Sequence, residues 1–447
     1  MNSNEIQSTY LDFFKSKGHL EVDPSPLILK DDPTTLFTSS GMQQLVPFLK
    51  GKKHPLGKRL VDSQSCLRMQ DIEEIGDNRH TTFFNMLGNW SLGDYFKEEQ
   101  LPWCWDFYTK ELSLDPERLH ITVFEGTKDV SKDNESLEIW KKIGVDESKI
   151  HFYGVDKNWW SRTGPPDEMP EGEIGGPSSE VFFEFDTPHD PKYGAFCHPN
   201  CDCGKFVEVG NSVFIEYEKK SEGLIALSQK NVDFGGGLER ISVAMTGKPD
   251  IFEIDLLSPV VKNIETETQT SYGSNEKKDR SIRIVADHIR AALNLLAEGI
   301  IPSNKLQGYA LRRLIRRSMF HLHLLGGGVS GAGLAHIGES LGEFCPQISK
   351  NWDFINTQLL EEGKKFSDAL KRGLEKLRKE VGDKGSIDGD FAFDLYQSEG
   401  FPLELTAEIL KESKVEFPEE ARRLFEKKLE EHRNISQSKS SKLFKKS

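Results

Sequence analysis

The chain has 447 residues, of which 36 % are hydrophobic and 29 % are charged, and its formal net charge is −14. The length allows two or three domains that each bury a core, and no apolar run is long enough to indicate a membrane span. The negative charge argues against a protein that coats nucleic acid indiscriminately, although a local basic patch could still bind RNA.

The cysteine count and the N-terminus indicate the cellular compartment. Six cysteines are no disulfide framework in a chain of this length, and the first residues lack the basic and apolar regions of a secretion signal. We therefore expect a cytoplasmic protein without a membrane partner.

The N-terminal half alternates between helix and strand patterns. Apolar residues recur at helical spacing over residues 5–17, and Gly18 ends that helix. Short β-rich runs follow up to about residue 245, at Leu119–Phe124, Val181–Phe185, Phe206–Val209 and Val213–Tyr217. Gly210-Asn211 is interpreted as a turn between the last two. The pattern predicts an α+β domain on a mainly antiparallel sheet.

The C-terminal half is predicted to be helical. The polar stretch Glu265–Arg280 is interpreted as a surface linker, and apolar stripes at helical spacing follow within residues 282–296 and 366–381. The Ser/Lys-rich tail is predicted to be disordered. We expect domains at residues 1–250 and 251–435, with the tail at 436–447.

Two stretches that lie far apart combine fixed cations with aromatic residues and glycines. The first is Arg68-Met69-Gln70 followed by Arg79–Asn89, and the second is Val232–Ile241. Permanently charged arginines, an aromatic platform and close backbone approach suit a triphosphate and a purine. Each residue alone also fits an ordinary surface ion pair or a packed phenylalanine. The length and order of the two blocks favour the nucleotide site.

Together these stretches resemble motifs 2 and 3 of class II aminoacyl-tRNA synthetases, and their sequences are close to those of the alanyl-tRNA synthetase family. The resemblance covers nearly the whole chain. It implies an α+β antiparallel-sheet catalytic domain at 1–250, followed by an all-α tRNA-recognition domain at 251–435. It also implies a ligase that uses ATP to join alanine to the 3′ end of tRNA(Ala) and forms AMP. Mg2+ is expected as a cofactor because the expelled pyrophosphate is highly charged.

The resemblance assigns the ATP site. Arg68 would hold the α-phosphate and the attacking carboxylate, Arg240 would clamp ATP from the other side, and both are the expected catalytic residues. His80 would lie near the phosphates and Phe84 would stack on adenine, while Gly237 permits close approach. The loop between Arg68 and His80 lacks the Gly-Gly-Lys element of many relatives, which leaves its contacts to ATP and the tRNA end open.

The resemblance also assigns the alanine site. Asp233 matches the carboxylate that binds the ammonium group, and Trp160 and Val213 match positions that wall the pocket. Asn211 would add a polar contact. Trp160 alone fits ordinary core packing equally well.

A cysteine cluster suggests a second kind of site. Cys197, Cys201 and Cys203 lie close together with His198 among them, and three thiolates plus one further ligand could satisfy a tetrahedral zinc ion. The fourth ligand is assigned to His198, with His189 as the alternative. Structural zinc sites usually draw on two paired elements, so free cysteines in a reducing cell remain the other interpretation. The zinc usually associated with the family belongs to an editing domain, so this site is not inherited from it.

The helical half carries the predicted RNA contacts. Four arginines are expected on one helical face that suits a phosphate backbone: Arg312, Arg313, Arg316 and Arg317. A solvated charged face is the alternative. Asn304 falls on the asparagine that reads the acceptor stem in relatives, and Gln397 replaces its companion aspartate. A glutamine amide donates as well as accepts, so recognition of the base pair could be altered or relaxed.

The family typically continues beyond Ser447 with an editing domain and an oligomerisation domain, and the editing patterns His-x-x-x-His and Cys-x-x-x-His do not occur in these residues. A small pocket rejects glycine and serine only weakly. We therefore expect ligation without editing in cis, mischarging by this polypeptide, and a separate trans-editing deacylase as a partner.

Two other functions are weighed against the ligase. A non-catalytic synthetase paralogue that binds RNA or protein is the alternative, but such paralogues usually lose an ATP arginine or the ammonium carboxylate. Arg68, Asp233 and Arg240 are all present here. An enzyme that passes the adenylate to a carrier is disfavoured by the basic helix and the Asn304 segment.

Overall fold

The structure is a computed structural model, and it describes residues 1–29, 35–69, 72, 74–399, 401 and 403–430. The chain divides into two compact units, Met1–Lys262 with Ser340–Pro346, and Asn263–Glu339 with Gln347–Ser447. This division falls later in the chain than the boundary predicted at residue 250. The predicted disordered tail at 436–447 lies outside the described residues. None of the helices in the described part combines the length and the apolar character needed to cross a membrane.

The first unit is built on one large sheet. Its strands are β1 (Leu20–Glu21), β2 (Arg59–Leu67), β3 (Phe83–Leu92), β4 (Leu119–Phe124), β5 (Ile150–Tyr153), β6 (Trp159–Ser161), β7 (Ile174–Glu184), β8 (Phe206–Lys220) and β9 (Gly223–Gly237). Their order is β1-β2-β3-β9-β8-β7-β4-β5, with β6 beside β7. Only the β1–β2 and β4–β5 pairs among these strands are parallel. The prediction of an α+β unit on a mainly antiparallel sheet is confirmed.

The helices of this unit are α1 (Ser3–Ser16), α2 (Val46–Leu49), α3 (Lys97–Asp106), α4 (Asn134–Ile143), α5 (Val155–Asn158) and α6 (Leu238–Thr246). Helix α1 confirms the predicted N-terminal helix. Asn2 caps it, since its side chain accepts from Glu5 N while the Glu5 carboxylate accepts from Asn2 N. Gly18 follows its end with a φ of +86°, a conformation that favours glycine. Tyr10 Oη donates to Asn89 Oδ1 on β3 at 2.9 Å, which ties the helix to a central strand.

The turn predicted at Gly210-Asn211 is wrong, because β8 runs through it as one continuous strand. Both residues pair with neighbouring strands. A Cβ at position 210 would stand 2.3 Å from Tyr108 Oη and 2.7 Å from the Phe234 ring. Glycine is therefore required here by close packing rather than by a change of chain direction.

The second unit is helical within its described residues. The helices, numbered on from α6, are α7 (Ser258–Thr268, which contains the division between the units), α8 (Glu276–Ala297), α9 (Leu306–Leu324), α10 (Gly331–Gly338), α11 (Pro346–Lys350), α12 (Trp352–Lys384), α13 (Gly389–Asp394) and α14 (Leu403–Glu412). Residues 419–430 are also helical. The predicted linker is wrong at both ends, because α7 continues to Thr268 and α8 begins at Glu276.

The predicted apolar stripes lie on α8 and α12. The stripe on α8 is fully buried: Ile282, Val285, Ile289, Leu293 and Leu296. On α12, Phe366, Leu370 and Leu377 are buried, while Leu374 and Val381 are half-buried. Burial of these faces supplies the core of the helical unit.

Candidate active site

The two distant sequence blocks lie on adjacent strands. β3 pairs with β9, so that Met86 stands opposite Gly237 and Gly88 opposite Gly235. Glu239, in the first turn of α6, accepts from Asn85 N at 3.0 Å. The blocks that the sequence analysis joined by resemblance therefore form one region of the sheet.

Arg68 and Phe84 stand together at the end of the β2–β3 pair. Arg68 N donates to Thr82 O at 2.8 Å, and the guanidinium carbon lies 4.9 Å from the centre of the Phe84 ring. Arg68 Nε also donates to Ser39 O at 3.1 Å. The cation thus covers one face of the ring, in a geometry that orients both groups.

Arg240 and His80 line one cavity on this unit, with a volume of about 160 Å³. Arg240 Nη1 donates to Glu208 Oε2 at 2.9 Å, and Glu208 lines the same cavity. His80 Nδ1 lies 2.7 Å from Asp77 Oδ2, and this hydrogen bond raises the pKa of His80. Among the described residues, the lining does not include Arg68. The structure therefore places Arg240 and His80 in a preformed cavity and the Arg68–Phe84 pair outside its lining.

Asp233 is a buried carboxylate with little to balance its charge. It is paired with Trp90 on the neighbouring strand β3 and with Val213 on the neighbouring strand β8. Trp90 Nε1 donates to its Oδ1 at 2.7 Å. Burial raises the pKa of Asp233 to about 7. Val213, Trp90 and the half-buried Trp160 belong to the same apolar cluster. A carboxylate beside small and aromatic apolar groups can bind an ammonium group that carries a short side chain.

Asn211 adds a free acceptor near this carboxylate. It stands opposite Gly235 on β9, and its Nδ2 donates to Glu180 Oε1 at 3.3 Å. Its Oδ1 is buried and has no hydrogen-bond partner among the described residues. Burial raises the pKa of Glu180 to about 8. A buried acceptor without a donor is a group that a ligand can satisfy.

The sequence analysis missed Asp62 and Trp90. Asp62 lies on β2, is 1 % exposed, and has an Oδ1 without a partner among the described residues. Burial and the charge of Asp233 raise the pKa of Asp62 well above its usual range. The indole of Trp90 lies across Gly88, where a Cβ would stand 2.2 Å from the ring. The signal was the spacing from Leu60, because residues two apart in a strand share a face and Leu60 is an apolar residue expected in the core.

The cysteine cluster forms with a different histidine from the one assigned. Ligand atoms of His189, Cys197, Cys201 and Cys203 all lie within 4.8 Å of one another. His198 Nδ1 instead lies 2.8 Å from Tyr153 Oη. The assignment of His198 as the fourth ligand is wrong, because its ring contacts Tyr153 and is not among the ligand atoms that lie together. The alternative, His189, is the residue that the structure brings to the cluster.

The four predicted RNA-binding arginines do not share one exposed face. Arg316 and Arg317 on α9 are each only 6 % exposed. Arg316 Nε donates to Glu362 Oε1 at 2.7 Å, and Arg317 Nε donates to Glu408 Oε2 at 3.1 Å. The expectation that these two contact a phosphate backbone is wrong, because acids of α12 and α14 pair with them inside the helical unit.

The remaining predicted RNA contacts lie nearer the surface. Arg312 Nη1 donates to Asn304 Oδ1, and Arg312 also pairs with Glu362. Asn304 is exposed, Arg313 is half-buried, and Gln397 is exposed on the single turn Leu395–Glu399. The described contacts join Asn304 to Arg312 but do not join it to Gln397.

The mainly antiparallel sheet, with Arg68 and Arg240 at its edge and a buried carboxylate on β9, agrees with the fold of class II synthetases. A model of the family described as tRNA synthetases class II (A) matches residues 5–447, and the chain belongs to that family. The chain is 41 % identical to the alanine–tRNA ligase of Treponema denticola, over its whole length and 75 % of that relative. It is 40 % identical to the alanine–tRNA ligase of Treponema pallidum, with 92 % of the chain and 69 % of the relative covered.

Longer relatives and solved structures extend the comparison. The alanine–tRNA ligase of Thermotoga maritima is 41 % identical over 93 % of the chain, which spans 47 % of that relative. The crystal structure of apo histidyl-tRNA synthetase from S. aureus aligns with 60 % of this chain over 75 % of its own length, with 11 % sequence identity and a TM-score of 0.34. A likeness that weak carries no argument.

Proposed function

We propose that the chain ligates alanine to tRNA(Ala), with ATP as the energy source and AMP and pyrophosphate as products. The observation that carries this proposal is Asp233, a buried carboxylate on the central sheet with a raised pKa, an indole donor and no cation among its described partners. The ammonium group of an amino acid would supply that cation. Val213 and Trp160, which pack in the same apolar cluster as Trp90, would wall the pocket for the methyl group of alanine.

The chemistry has two steps. An oxygen of the alanine carboxylate attacks the α-phosphorus of ATP, so that a mixed anhydride forms while the bond to the pyrophosphate oxygen breaks. A hydroxyl of the terminal adenosine of tRNA then attacks the carbonyl carbon, and AMP leaves. Because little covalent help is needed from the protein, its contribution is positioning and charge stabilisation.

The arginines provide that stabilisation. Arg68 would bridge the α-phosphate and the alanine carboxylate, and its stacking on Phe84 holds the guanidinium in place before ATP arrives. Adenine would stack on Phe84. Arg240 would exchange its bond to Glu208 for the outer phosphates, with His80 beside it in the same cavity. Gly237 caps α6 and lets the backbone approach the nucleotide.

Mg2+ fits the chemistry of this cavity. The ion binds through one or two carboxylates together with phosphate oxygens. Glu208 supplies a carboxylate in the lining next to Arg240 and is the residue that would hold the ion. When bound, Mg2+ would neutralise charge on the departing pyrophosphate. Structural Zn2+ suits a different set of groups, the thiols and imidazole of the cysteine cluster.

The surface proposed for tRNA(Ala) is smaller than the sequence analysis predicted. Asn304, Arg312, Arg313 and Gln397 remain proposed contacts, whereas Arg316 and Arg317 would position α9 without touching RNA. Mischarging with serine or glycine, correction by a separate deacylase, and a cytoplasmic location stay predictions.

The test is alanine-dependent exchange of labelled pyrophosphate into ATP. The wild-type chain should exchange with alanine, and the Asp233→Asn variant should lose at least about 100-fold in kcat/KM for alanine. Asp12→Asn, which changes an exposed acid on α1 in the same unit, is the matched control and should exchange normally. A wild-type chain that exchanges with no small amino acid would favour the non-catalytic paralogue.

A further inference from the structure

The connection between β7 and β8 has little packing to hold it. This segment, residues 185–205, is called the cysteine loop, and it contains one short turn, Pro191–Tyr193, as regular structure. Within it, Phe196 is 86 % exposed and Tyr193 is 42 % exposed, whereas Phe185, directly after β7, is buried. Loops of this length without structure of their own are uncommon in compact domains and need another source of order.

The loop carries a set of donors at metal-binding spacing. Cys197 Sγ lies 3.5 Å from Cys203 Sγ, and Cys201 Sγ lies 3.8 Å from His189 Nδ1. Two sulfurs that each stand ~2.3 Å from one tetrahedral zinc ion lie about 3.8 Å apart. Three thiols and one imidazole make a complete ligand set for a structural zinc site.

The histidine of this set is already oriented for binding. His189 Nε2 lies 2.9 Å from Gly194 O, and because a carbonyl only accepts, Nε2 must carry the proton. In the neutral ring this leaves the lone pair on Nδ1, the atom that faces Cys201. Ligating histidines in metalloproteins usually donate their second ring nitrogen to an oxygen in this way.

The same loop forms a wall of the candidate nucleotide cavity. Cys201 and Gly204 line it together with His80 and Arg240. Gly204 has a φ of +83°, and a Cβ at this position would stand 3.6 Å from the side chain of Arg79. The cysteine loop therefore touches the block that contains His80.

We propose that His189, Cys197, Cys201 and Cys203 bind one structural Zn2+ and that this ion holds the cysteine loop as a wall of the nucleotide cavity. The role of the ion at the nucleotide cavity rests on the proposed function, whereas zinc binding does not. The ion takes no part in the reaction. Its loss would loosen the cavity wall and weaken ATP binding, while the alanine site around Asp233, which is not part of the cavity lining, would keep its geometry.

Metal content tests zinc binding without reference to activity. The full chain, purified under reducing conditions from zinc-supplemented cells, should contain one zinc per chain by plasma mass spectrometry. His189→Ala and Cys201→Ser should lose the metal, and His198→Ala, a change in the same loop, should keep it. A zinc-free wild-type chain, a Cys197–Cys203 disulfide in its place, or zinc lost from His198→Ala but kept in His189→Ala would overturn the assignment.

A spectroscopic measurement covers the case in which a variant fails to fold. Wild-type chain that is reloaded with Co2+ should show an intense thiolate-to-cobalt absorption band, and zinc should abolish it stoichiometrically. Absence of that band from the folded wild-type chain would count against thiolate ligation.

The role of the ion in holding the cavity wall is tested by the KM for ATP in the exchange assay. Removing zinc, by His189→Ala or by a chelator that is dialysed away before Mg2+ and ATP are added, should raise the KM for ATP about tenfold and leave the KM for alanine within about twofold. An unchanged KM for ATP in zinc-free protein would refute the role of the ion at the cavity. Failure of the wild-type chain to exchange at all would refute the proposed function and leave the zinc content as a separate result.

Discussion

Two carboxylates, one in each unit, show opposite electrostatic arrangements. Asp233 in the sheet has an indole donor, and its pKa is raised by burial to about 7. Glu408 in the helical unit accepts from Arg317 and from His321 at 3.0 Å. Burial opposes its ionisation, but the hydrogen bond and charge of His321 and the charge of Arg317 outweigh burial and hold the pKa of Glu408 well below its usual range.

The difference separates a binding site from a structural ion pair. A buried acid that is already paired with cations contributes to the fold, and its removal takes a counter-charge away from those buried cations. A buried acid that lacks a cation destabilises the empty protein and gains most from a ligand that brings one. By this reasoning the charged cluster of the helical unit is structural, and the acid on the sheet is functional.

The largest expected effect is the loss of Glu408. Glu408→Gln removes the buried carboxylate that pairs with Arg317 and Arg280, so the free energy of unfolding should fall by about 3 kcal/mol. Urea denaturation measures this change. The control is Glu419→Gln, which breaks an exposed pair with Arg423 and should change stability by less than about 0.5 kcal/mol. Equal losses in both variants would contradict a structural role for the buried cluster.

The next effect concerns RNA contact. Asn304→Ala removes an exposed amide, so transfer of alanine to tRNA should fall about tenfold, or about 1.4 kcal/mol, with no loss of folding stability. Steady-state charging measures the transfer. Alanine-dependent exchange in the same preparation should stay unchanged, and a parallel loss of exchange would mean that Asn304 acts on the fold instead.

The pH dependence of alanine binding should follow Asp233. Alanine binds the ionised carboxylate, and the free site holds its proton below a pKa of about 7. The KM for alanine should therefore rise about tenfold per pH unit as the pH falls below 7, and should level off above it. Exchange assays between pH 5.5 and 8 test this. A flat profile would show that Asp233 is already ionised at pH 6.

The smallest effect is expected at Asp62. Burial and the charge of Asp233 raise the pKa of Asp62, which favours the protonated form that an asparagine amide resembles. Asp62→Asn should change the KM for alanine by no more than about threefold, or about 0.7 kcal/mol. A large increase would mean that both acids bind the ammonium group as a charged pair.

Local patterns predicted much of this molecule. Helix α1, strand β4 and the buried stripe of α8 follow directly from the spacing of apolar residues. The two blocks of the candidate site were long enough to be joined by resemblance, and β3 and β9 place them side by side.

Features that depend on distant partners were not predicted. Gly210 was interpreted as a turn because the packing of Tyr108 and Phe234 against it cannot be read from neighbouring residues. Arg316 and Arg317 were assigned to RNA because their acids are far along the chain. Such contacts are set by tertiary structure, which local sequence does not encode.

The most direct test of the account is the stability of Asp233→Asn and wild-type chains at pH 8, with and without alanine. The folded wild-type chain holds the Asp233 proton up to about pH 7, whereas the unfolded chain releases it near pH 4, so burial of the charge lowers stability as the pH rises through this window.

Without alanine, Asp233→Asn should be the more stable protein, by about 1 to 4 kcal/mol. Alanine at 100 times its Kd should stabilise the wild-type chain by about 2.7 kcal/mol and leave the variant unchanged. Equal stabilisation of both proteins by alanine would contradict the assignment of Asp233 as the ammonium site.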